Sequence, residues 1–158
     1  MKKFAFTFAL TCASLIAGCG NQQSSEETDG TPLGIAVANG LQYTIKSVQN
    51  VEEVGERRTF TAGSNETFVV VRYAVKNTSD QSVDGYDIPK LVLRDHKGRT
   101  HELDQILTIW GSDEQAKDLN PDNSEDRTDI WRVAADTYNP ATWQVVAETK
   151  PELAFKIK

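Results

Sequence analysis

The chain has 158 residues, with 17 Lys and Arg against 23 Asp and Glu, for a formal charge of −6. That acidic balance argues against nucleic-acid binding, which needs a basic footprint. Its two cysteines, Cys12 and Cys19, fall within the first nineteen residues, so the rest of the chain has no thiol or disulfide chemistry.

The opening Lys2-Lys3 is followed by an apolar stretch from Phe4 to Ile16. A bilayer span needs roughly 20 residues, so this shorter stretch reads as a cleaved secretory signal over residues 1–18. Ile16-Ala17-Gly18-Cys19 resembles the lipobox of bacterial lipoproteins. The resemblance implies lipid on the Cys19 sulfur, cleavage before it, and a place in the cell envelope, anchored to a membrane on its extracytoplasmic side. Loss of Lys2 and Lys3 would take the formal charge from −6 to −8. Residues 20–32, GNQQSSEETDGTP, contain no apolar side chain, and residues 19–33 read as the lipidated cysteine and a flexible tether. Residues 34–158 are enough for one domain with its own core.

From Gly34 onward the pattern is β. Asn39-Gly40 marks a tight turn, after which Leu41, Tyr43 and Ile45 alternate with polar residues. Residues 52–66 read as a polar connection. Thr67 to Lys76 has the strongest strand pattern, with Val69, Val71, Tyr73 and Val75 on one face and Arg72 and Lys76 on the other. Leu91-Val92-Leu93 begins another strand, and Asp95-His96-Lys97-Gly98 reads as a hairpin turn into Arg99 to Leu103. Ile106 to Trp110 reads as a strand or loose segment, and Ser112 to Asp118 as a stretch with helical potential. Residues 111–129 read as polar loop. Ile130 to Ala134, Trp143 to Ala147 and Leu153 to Ile157 complete the count. The expected fold is all-β, an immunoglobulin-like antiparallel β-sandwich of about seven or eight strands.

Asn39-Gly40-Leu41, Phe68 to Val71 running to Val75-Lys76-Asn77-Thr78, Leu91 to Gly98, and Leu119-Asn120-Pro121 before Ile130 to Val133 form a set. Together they resemble the telokin-like, immunoglobulin-like domain of many bacterial lipoproteins, akin to a mycobacterial secreted antigen. The resemblance covers about residues 34–158. It implies a β-sandwich and carries no site residues.

Several groups of residues could carry chemistry. Asp118, Asn120, Asp122, Ser124 and Asp126 put oxygens at every second position, with Asp129 beyond, as a calcium loop would. Pro121 and Asn123 break that pattern, and a solvated loop is the plainer reading. His96 and His101 lack a third ligand for zinc. No serine sits in a nucleophile elbow and no glycine-rich phosphate loop occurs. Trp131 and Trp143 read as core. Trp110, before Gly111, is the candidate ligand contact. The expectation is a non-enzymatic interaction or structural module without cofactor. Its partners would be the membrane, through Cys19, and an extracytoplasmic protein. The alternatives are a calcium- or small-ligand-binding module and an inhibitor or immunity-type binder.

Overall fold

The computed structural model describes residues 32–55, 58–111 and 117–157. In chain order these form β1 (Gly34–Ala38), β2 (Leu41–Val51), β3 (Glu53–Val54), β4 (Phe60–Thr61) and β5 (Glu66–Asn77). Then come β6 (Leu91–Arg94), β7 (Thr100–His101), α1 (Gln105–Gly111), β8 (Ser124–Ala134), β9 (Gln144–Ala147) and β10 (Leu153–Lys156).

Two four-stranded antiparallel sheets stack as a sandwich, in the orders β1-β2-β5-β8 and β10-β9-β6-β7. Alternation drives the stacking. Tyr43, Ile45, Val69, Val71 and Val75 from one sheet and Leu91, Leu93 and Val145 from the other are fully buried in one layer, with Trp131 and Trp143 beside them. Stacking two apolar faces dries both at once. The β1–β2 loop has two residues, Asn39 and Gly40, at φ 52° and 74°. These left-handed values match the twist of the strands it joins and favour Asn-Gly.

Four expectations are corrected. Ile106 to Trp110 is helical, within α1. The Asp104 carboxylate accepts from the Leu107 amide at 3.1 Å and the Asp104 carbonyl from Thr108 N at 2.9 Å, so Asp104 caps a first turn. Residues 52–66 hold the small β3–β4 hairpin rather than a bare connection. The strand expected at Ile130 begins at Ser124, because β5 supplies a long template pairing Lys76 with Ser124 through Glu66 with Ala134. The strand expected over Arg99 to Leu103 spans only Thr100–His101.

The outer side of the first sheet carries a second, smaller core. Phe68, Val70 and Ile130 face away from the sandwich and are covered by Leu107 of α1, with Val54 and Phe60 of the hairpin packed against them. Arg132 lies over the Phe68 ring at 5.5 Å and reaches Glu66 and Asp104 at 3.5 Å each.

Candidate functional site

The inward face of β8 departs from the apolar rule. Trp131 and Val133 join the core, and the same alternation turns Glu125, Arg127 and Asp129 inward. Glu125 accepts from Arg127 Nε at 3.1 Å and Nη2 at 2.9 Å, and both side chains are largely buried. Asp129 is buried opposite Val71 and accepts from the Tyr73 hydroxyl at 3.0 Å. Burial pushes the Asp129 carboxyl up to about 6, against the opposing pull of the Tyr73 bond and the Arg127 and Lys90 charges. Burial and the Asp129 charge hold the Tyr73 phenol well above its usual range. Tyr43 is buried on β2, and burial pushes its phenol up to about 12 despite the nearby Arg127 charge.

A strap formed by residues 82–90 lies over this polar row. Val83 exchanges backbone bonds of 2.9 and 2.8 Å with Leu119, and Gly85 N donates to Asp118 Oδ1 at 3.2 Å. The Pro89 carbonyl accepts from the Tyr43 hydroxyl at 3.0 Å, and the Gly85 carbonyl from Arg127 Nη2 at 3.4 Å. A Cβ at Gly85 would sit 2.5 Å from the Lys117 carbonyl oxygen, so a side chain there would force the two segments apart. Asp84 Oδ1 accepts from Tyr86 N at 2.8 Å, in a turn that presents Tyr86 to solvent, 86% exposed.

Asn77 locks the strap to the end of the sandwich. Its side chain is wholly buried. Nδ2 donates to the Gln81 carbonyl at 2.7 Å and the Leu119 carbonyl at 2.9 Å, while Oδ1 accepts from Ser79 N and Ser79 Oγ at 2.9 and 2.7 Å. This accounts for asparagine after a strand-ending lysine: both ends of the amide are used, and a carboxylate could not donate to two carbonyls.

The cluster ties the strap to the sheet through Tyr43 and Arg127. Its Arg127 is engaged by Glu125, and Asp129 accepts from the Tyr73 phenol, whose own pKa is raised by burial. The acidic residues read as a possible calcium loop lie elsewhere than that reading needs. Ser124 and Asp126 are in β8 with their side chains outward, Asp129 is inward, and Asp126 pairs with Lys46 at 2.7 Å. Strand alternation sends these oxygens to opposite faces.

His96 is exposed at the β6–β7 turn, while His101 is half-buried and stacks on Trp143 at 4.5 Å. His101 Nε2 is 3.6 Å from Asp95 Oδ2, beyond hydrogen-bond range. Asp95 instead closes the turn, accepting from Lys97 N, Arg99 N and Arg99 Nε at 2.9, 2.9 and 2.7 Å. Burial opposes its ionisation, but these donors outweigh it and hold the carboxyl well below the usual range. Among the described residues no three His, Cys, Asp or Glu side chains come together to hold a metal ion. Cys19 lies outside the described residues. Trp110 falls in α1, not at a strand end, and its side chain lies outside what is described. Trp143 and Trp131 are core, as expected.

Sequence reasoning missed the inward charges of β8 and the exposed Ile35, Val37, Tyr86, Ile106 and Ile109. Alternation along residues 125–133 was the available signal for the first, hidden because three of the five inward residues, Glu125, Arg127 and Asp129, are charged.

No protein-family model matches the chain, and no curated protein matches it. Among solved structures, a conserved hypothetical protein from Bacillus anthracis matches at a TM-score of 0.69 and 17% identity, over 80% of this chain and 93% of that one. An uncharacterised β-sandwich protein from Clostridium difficile matches at 0.55 and 12%, over 81% of this chain and 92% of that one. A candidate lipoprotein, ycdA from Bacillus subtilis, matches at 0.52 and 19%, over 78% of this chain and 38% of that one. At these identities the likeness is one of fold: an antiparallel β-sandwich with counterparts among uncharacterised bacterial proteins, one of them described as a lipoprotein candidate.

Proposed function

We propose that the chain is an extracytoplasmic lipoprotein, held to a membrane by lipid on Cys19, whose β-sandwich is a non-enzymatic module that binds another exported protein. The Leu15-to-Cys19 run supports the anchoring half. No described helix is long and apolar enough to cross a membrane, and one solved structure of similar fold is a lipoprotein candidate. The telokin-like, immunoglobulin-like resemblance belongs to the same reading.

The observation that carries the binding half is Tyr86. A large aromatic side chain stands 86% exposed on a strap whose backbone is pinned to β2, β8 and the 117–119 segment. A rigidly presented tyrosine offers much contact area for little ordering entropy, which is why such residues dominate interfaces. The test is site-specific photocrosslinking from position 86 in intact cells. One discrete adduct, competed by excess unlabelled protein and lost in Asn77→Ala, supports the reading. Diffuse labelling equal to that from the exposed Lys97 overturns it. Anchoring is tested separately: Cys19→Ala should move the protein from the membrane to the soluble fraction.

A further inference from the structure

We propose that the outer face of the β1-β2-β5-β8 sheet docks on an anionic lipid surface; this deepens the anchoring reading and rests on it. Three observations meet on that face. The first is charge. Lys46 at the β2 bulge and Arg72 and Lys76 on β5 point outward from a chain of formal charge −6. Lys46 and Lys76 have exposed partners, Asp126 at 2.7 Å and Asp122 at 3.8 Å. Exposed pairs of this kind are weak, so the cations are available to lipid phosphate.

The second is apolar exposure. Ala36 faces the core, so Ile35 and Val37, 59% and 55% exposed, share the outer face of β1. On the same side α1 seats Leu107 on the outer core and leaves Ile106 and Ile109 65% and 67% exposed. Four of the five exposed large apolar side chains named among the described residues therefore flank the cations, Tyr86 being the fifth.

The third is where the chain leads. β1 carries Ile35 and Val37 at once after the segment that starts at Cys19, and the 14 residues of 20–33 span at most about 50 Å however they are arranged. An anchor at Cys19 would thus keep the edge strand of this face within about 50 Å of the bilayer, near enough to reach it. Apolar side chains among headgroups and cations at lipid phosphate would then act together, each basic residue raising partition about fivefold and the outward Asp126 and nearby Asp122 offsetting part of that gain.

The test uses the full lipidated chain in vesicles of phosphatidylcholine, with or without phosphatidylglycerol. Cys19 is lipidated and the rest of the mature chain has no cysteine, so Val37→Cys takes a single polarity-sensitive dye, with Lys97→Cys as the control. In phosphatidylglycerol vesicles the dye at 37 should shift to the blue and lose its quenching by aqueous iodide, while the dye at 97 stays unchanged. High salt should reverse the shift. So should the combined Lys46→Glu, Arg72→Glu and Lys76→Glu changes, with flotation retained. A dye at 37 that stays in water while the protein floats overturns the docking face and leaves the anchor standing. An equal shift in pure phosphatidylcholine overturns its anionic preference. Failure of the Cys19-bearing chain to float overturns the anchor, and the docking face with it.

Discussion

Asp129→Asn removes a titrating carboxyl from the interior but keeps an oxygen that accepts from the Tyr73 hydroxyl, 3.0 Å away. The folded chain holds the Asp129 proton up to about pH 6, while the unfolded chain releases it near 3.8. The folded state therefore binds more protons between these values, and Asp129 makes stability fall as pH rises across that window. A shift of about two units corresponds to about 3 kcal/mol of penalty, fully present above pH 6. Asparagine escapes it. The value of about 6 already includes the pull of the Arg127 and Lys90 charges, so the variant should gain up to about 3 kcal/mol above pH 6. The assay is urea unfolding followed by tryptophan fluorescence, since Trp131 and Trp143 are buried, from pH 3.5 to 8. The variant should match the wild type at the acid end and exceed it at pH 7.5. A variant less stable than wild type at pH 7.5, or a difference that does not change with pH, would refute the assignment.

Asn77→Ala should cost about 2–4 kcal/mol, because it leaves the Gln81 and Leu119 carbonyls without their donor, and hydrogen exchange should show lost protection at Val83 and Leu119. Asp95→Asn should lower the melting temperature at pH 7. Its carboxyl is depressed in the fold, so its contribution is present above the ordinary carboxylate range and fades as pH falls through the folded value. The gap between variant and wild type should close in acid. Leu107→Ala should cost about 2–4 kcal/mol by opening a void over Phe68 and Ile130, with proteolysis then concentrated at α1.

What was legible in the chain was whatever apolar alternation could write. Leu41, Tyr43 and Ile45, and Val69 to Val75, announce their faces because one side of each strand is dry. Asn39-Gly40 and Asp95 to Gly98 announce turns through backbone and side-chain chemistry that few other residues supply. The first half of β8 was illegible for the opposite reason. Its inward residues are Glu125, Arg127 and Asp129, which satisfy one another and Tyr73, so the strand looked like a loop. α1 is a single inward leucine on about two capped turns, too short for a period to register. The strap was invisible because its order comes from long-range partners, Tyr43, Arg127 and Asp118, that no local window contains.

α1 also bears on how copies of this domain behave when crowded. The free margin of β8 would otherwise offer its amides and carbonyls to any passing strand. Instead the Ile130 carbonyl accepts from Asp104 N at 3.0 Å, and Ile130 N donates to Thr108 Oγ1 at 3.1 Å. With those groups taken, and charged side chains threaded beneath the same strand, pairing of another strand along this margin is interrupted at Ile130. Crowded edge strands have most need of such a block, and here one short helix supplies it at Ile130.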